Sequence, residues 1–77
     1  MNDYQKERIN RQMRSAYESY RRHADALADP LLSDERKARL HSDAMNEAWA
    51  RLNGMREVLE MLGYSIHYEN HSIPQIA

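Results

Sequence analysis

Residues 33–63 read SDERKARLHSDAMNEAWARLNGMREVLEMLG, and this stretch decides the fold. Ala38, His41, Met45, Ala48, Leu52, Met55, Leu59 and Leu62 recur at alternating spacings of three and four. That is the seam of an amphipathic helix, sustained for more than three heptads. Ser33 stands where an N-cap belongs, and Asp34 and Glu35 follow at the positive end of the helix dipole. Gly63 is the expected C-terminal stop. Asn53-Gly54 is a common turn dipeptide, but the stripe keeps its phase from Leu52 to Met55 to Leu59, which a turn would destroy. The spacing therefore predicts one continuous helix over about residues 34–62.

Upstream, Ile9, Met13, Ala16, Tyr20, Ala24 and Leu27 form a second stripe, with Tyr17 beside it. No Gly or Pro interrupts it before Asp29-Pro30, where proline disfavours helical geometry in the residue ahead of it. This predicts a helix over about residues 3–28. At about 1.5 Å per residue the two helices would be roughly 39 and 43 Å long. The linker of residues 29–33 is short, so they should lie antiparallel.

Downstream the period changes from helix to strand. Tyr64, Ile66 and Tyr68 alternate with Ser65, His67 and Glu69, and Glu69-Asn70-His71 can turn the chain toward Ser72–Ile76. Residues 64–76 are thus expected to form a β-hairpin, or a strand that pairs with another chain through Tyr64, Ile66 and Tyr68. Pro74 would confine the return strand to an edge. The expected fold is mainly α: one domain over residues 1–77, a long helical hairpin with a C-terminal β element, dimerising into a four-helix bundle.

The expectation of a dimer comes from size and surplus apolar surface. The chain has 77 residues, no cysteine and no phenylalanine. At this length one core stabilises a fold marginally, and no disulfide assists it. Leu40, Ala44, Trp49, Val58 and Met61 lie outside the main stripe of the second helix, and a hairpin with one seam cannot cover them all. Leu52, Met55, Leu59, Trp49, Met45 and Met61 are the expected oligomer interface, because Trp and Met are favoured at such surfaces. Small Ala50 and Gly54 would admit a close helix.

The formal net charge of −1 conceals an asymmetry. Tyr4–Arg22 holds six basic and two acidic residues, a local charge of +4. Arg8, Arg11, Arg14, Arg21 and Arg22 could contact nucleic acid or an acidic partner. They fall opposite the apolar stripe, however, among Glu7, Glu18 and Asp25 at i,i+4 spacings, which is the pattern of a solvated face. Nucleic-acid contact is therefore the alternative and not the favoured reading.

No chemistry-bearing constellation is present. Gly54 and Gly63 make no phosphate-cradling loop, no cysteine nucleophile exists, and no serine stands in a nucleophile elbow. His23, His41, His67 and His71 match no zinc spacing. His41, on the stripe near the linker, reads as an end-of-core histidine bonded to a neighbour. No catalytic residue, metal, cofactor or small-molecule substrate is expected. No apolar run approaches the roughly 20 residues that span a bilayer, and no signal peptide is visible, so a cytoplasmic location is expected. The sequence reads as a non-enzymatic protein–protein interaction module (adaptor, inhibitor or accessory subunit) with an unidentified partner. A module that donates its C-terminal strand to a partner sheet is the other alternative.

Overall fold

The computed structural model describes residues 1–77, as two helices followed by a two-stranded antiparallel sheet. Helix α1 spans Asp3–Leu27. Its first turn is closed by a capping box: Gln5 N–H donates to Asn2 Oδ1 at 2.8 Å, and Asn2 N–H donates to Gln5 Oε1 at 3.1 Å. Two amides that would otherwise lack partners are satisfied reciprocally. After the C-cap Ala28, Asp29 organises the linker by accepting from Leu31 N–H on its side chain and from Leu32 N–H on its backbone.

Helix α2 spans Glu35–Met61 without a break at Asn53-Gly54. The hydrophobic phase, buried at Leu52 and Leu59, outweighs the local turn preference there. Its N-cap is Asp34 and not Ser33. The Asp34 carboxylate accepts from Arg36 N–H at 2.9 Å and Lys37 N–H at 3.4 Å. An anion interacts with the helix dipole as well as with the free amides, and so displaces the neutral hydroxyl one residue earlier. Beyond the C-cap Leu62, Gly63 adopts φ 90°. Tyr64 N–H returns to Leu59 O and Gly63 N–H to Glu60 O, both at 3.0 Å. This is a Schellman stop, with Tyr64 packed on the core cluster that contains Leu59.

Strand β1, Ile66–Glu69, pairs with β2, Ile73–Ile76, within the chain; Ile66 lies opposite Ile76 and Tyr68 opposite Pro74. Asn70 at φ 52° and His71 at φ 64° make the reversal, closed by Ser72 N–H on Glu69 O at 3.1 Å. Positive φ at both central residues matches the twist of a hairpin.

The helices are antiparallel: Tyr20 meets Trp49 and His23 meets His41, while Met13 and Ala16 share a cluster with Leu52 and Leu59. That cluster is completed by Ile76, so β2 roofs one side of the helical seam. Met13 is the largest fully buried side chain; burying it contributes about 1.5–3 kcal/mol. Only seven of the 77 residues are buried, and the molecule measures 46 × 21 × 18 Å, so the core is one thin layer.

Candidate interaction surfaces

The β-hairpin covers one side of the helix pair. On the opposite side an apolar groove of about 290 Å³ is lined by Ile9, Gly54, Met55, Val58 and Leu59. Helical spacing places Leu40, Ala44 and Leu62 along the same flank of α2 as Val58. Val58 is 55% exposed, and Leu40 and Leu62 more so. Gly54 faces open space here: a Cβ added to it would meet nothing within 4 Å.

The residues expected at an oligomer interface divide between the chain's own core and its surface. Leu52 and Leu59 are 3% and 5% exposed inside the intrachain cluster, so they are not open to a second copy. Met45 and Met55 are half-buried at the rim. Met61, at 86% exposure, projects into solvent. Trp49 is 47% exposed on the hairpin side, its ring 5.1 Å from that of Tyr20. It borders a small cleft shared with Asn53, Arg56, Tyr68 and Pro74. The surplus apolar surface read from α2 therefore splits into two flanks separated by the core.

The arginine-rich region is largely paired. Arg11 bonds Glu7 and Arg21 bonds Asp25, each one helical turn apart. Arg14 leaves the helix surface to bond Glu69 of β1, which also accepts from Gln75 Nε2 at 2.6 Å. Arg8 and Arg22 alone among the five carry no ion pair. The largest concavity, between the start of α1 and the end of β2, mixes Lys6, Arg11 and Arg14 with Asp3 and Glu7. Charges of both signs in one cleft give no uniform potential to steer a polyanion.

Of the residues expected to pair strands, Ile66 and Tyr68 lie in β1, whereas Tyr64 is part of the helix stop. The sheet's two edges differ. On β2, Asn10 of α1 grips Ile76 with both ends of its amide: Ile76 N–H donates to Oδ1 at 2.7 Å, and Nδ2 donates to Ile76 O at 3.2 Å. Pro74 has no N–H to offer. On β1 no side chain hydrogen-bonds the backbone of Ile66 or Tyr68, unlike Asn10 on Ile76.

At the linker end, Nδ1 of His23 and Nδ1 of His41 are 2.9 Å apart, one donating and the other accepting. This is the neighbour expected for His41. No group of three or more His, Cys, Asp or Glu side chains converges as a metal cage would require. No helix is long and apolar enough to cross a membrane.

Sequence reasoning did not find the Asn10 clamp, the Arg14–Glu69 bond or His23 as the partner of His41. The last had a usable signal. Folding the chain back at the linker sets residues near 23 beside residues near 41. The chain matches no family model, no curated protein and no solved structure.

Proposed function

We propose that this chain is a non-enzymatic protein–protein interaction module whose working form is self-associated. Two helical hairpins meet across the open α1–α2 flank to make a four-helix layer, leaving the charged outer face of α1 for an unidentified protein partner in the cytoplasm. The occupant of the flank is a second copy, and the observation that carries this is area. The chain exposes 5780 Å². A compact monomer of 9.1 kDa would expose about 4,900 Å², so roughly 900 Å² is in excess. One partner's share of a standard interface is about 800 Å². The excess is thus of the size that one isologous contact removes, and the groove at Ile9, Met55 and Val58 is its apolar centre. Gly54 lets a facing helix approach closely.

The test is solution mass by light scattering on the full chain. The wild type is expected at two chains or more. Val58→Glu is expected to lower the mass while leaving helical circular dichroism intact, because Val58 is mostly exposed in the single chain. Leu52→Glu would not serve, since Leu52 belongs to the intrachain core. Equal masses for wild type and Val58→Glu would overturn the reading.

A further inference from the structure

The two edges of the small sheet carry a second inference, independent of the helix flank. Ala77 N–H donates to Ser65 O at 3.4 Å, continuing the ladder past Ile66 and Ile76, while Ile76 N–H turns away to Asn10. Bonded and non-bonded pairs alternate in an antiparallel ladder. Ser65, just ahead of β1, and residues 67 and 69 within it therefore face residues 77, 75 and 73, and Ile66, Tyr68, Pro74 and Ile76 direct their backbone groups outward. On β2 that outward edge is closed by Asn10 and lacks an N–H at Pro74. On β1 the N–H groups of Ile66 and Tyr68 donate to no part of the chain outside the ladder, and their C=O groups accept from none. No Pro, Lys or bulge interrupts that edge, and its shortness, four residues, is the protective feature it carries.

We infer that β1 pairs antiparallel with β1 of a second copy about a two-fold axis at His67, making a continuous four-stranded sheet. The register follows from the positions of the free groups. With His67 opposite His67, Ile66 of each chain faces Tyr68 of the other. All four outward groups of each strand then bond, and none is left over. The side chains suit this pairing, because each Ile66 packs beside an aromatic ring, a favoured cross-strand combination. The carboxylates suit it as well: Glu69 faces Ser65 of the second copy, so the two Glu69 side chains do not meet, and each is already held by Arg14 and Gln75 of its own chain. A chain that carries both two-fold contacts closes as a tetramer where the two axes cross at right angles and extends as an open array where they do not.

Cysteine cross-linking tests the register, since the chain contains no cysteine of its own. His67 is exposed, and in the proposed pair its Cα lies about 4.5 Å from that of its copy, within disulfide reach. His67→Cys is made in the Val58→Glu background, so that the outcome does not depend on the helix flank. Under mild oxidation it is expected to form a covalent dimer at least about tenfold faster than Ser72→Cys at the exposed hairpin tip, because pairing raises the local thiol concentration. Adding Tyr68→Pro, which removes one outward N–H without touching the intrachain ladder, is expected to abolish that advantage with helical content retained. Equal cross-linking rates for His67→Cys and Ser72→Cys would overturn the inference. So would cross-linking of His67→Cys that Tyr68→Pro leaves unchanged.

Discussion

Asn10, in α1, and Ile76, sixty-six positions later in β2, are joined by the two hydrogen bonds that a neighbouring strand would make, at 2.7 and 3.2 Å. A side-chain amide carries a carbonyl acceptor and an NH2 with two donor hydrogens, and here the acceptor and one N–H substitute for a third strand. It fixes the hairpin to the helices and closes one sheet edge. Ile76 is buried and both bonds are part-buried, so water replaces the lost partner only in part. Asn10→Ala is expected to destabilise the chain by about 1–3 kcal/mol, the cost of orphaning buried backbone groups. For a domain of this size that lowers Tm by about 4–8 °C for each kcal/mol. Thermal denaturation checks the loss, and amide exchange at Ile76 should accelerate. Asn10→Asp keeps the acceptor for the Ile76 N–H but sets a carboxylate against the Ile76 carbonyl, and should also destabilise.

The assignment of the α2 cap is equally testable. Asp34 accepts from two backbone amides while Ser33 makes no hydrogen bond. Asp34→Ala is expected to cost about 1 kcal/mol, and Ser33→Ala to stay within about 0.5 kcal/mol of wild type. Urea denaturation midpoints of the two variants decide between the residues. The reverse order would restore Ser33 as the cap.

The contrast between these two sites explains what the sequence disclosed. Periodicity is a property of neighbouring residues, so the seam of α2 survived Asn53-Gly54 and was legible without knowledge of its partner. The period-two alternation of Tyr64 to Glu69 likewise gave the strand. The cap was displaced by one residue because Ser33 and Asp34 are both good caps, and only the geometry of the free amides separates them. Asn10 was not legible at all. An asparagine on the flank of an amphipathic stripe is ordinary, and its partner is a backbone, which leaves no pattern in residue types. The surface was half legible: the apolar excess of α2 could be counted, but which leucines the chain would bury itself depended on where β2 came to rest.

The histidine pair closes the seam at the linker end, where the rings lie 5.2 Å apart. A 2.9 Å contact between two Nδ1 atoms needs a donor on one ring and an acceptor on the other, so the two tautomers are coupled. Replacing each histidine by alanine, singly and together, should give a coupling energy of about 0.5–1.5 kcal/mol by double-mutant cycle. Additive losses, measured by urea denaturation, would show that the rings merely fill space.

Gly54 separates the stability of the single chain from that of the assembly. It sits inside α2, where glycine costs about 0.8–1 kcal/mol relative to alanine, and an added Cβ meets nothing in the chain. By the monomer's physics alone, Gly54→Ala should raise the urea midpoint under dilute conditions where the chain is single. The same methyl would project into the groove with Met55 and Val58 and hold a facing helix away. Light scattering across a concentration series should therefore show weaker association in the variant that folds more stably. A variant that gains stability and associates as before would place the second copy elsewhere. Opposite signs from one methyl group would locate the contact at Gly54, because no change within the chain weakens association while tightening the helix.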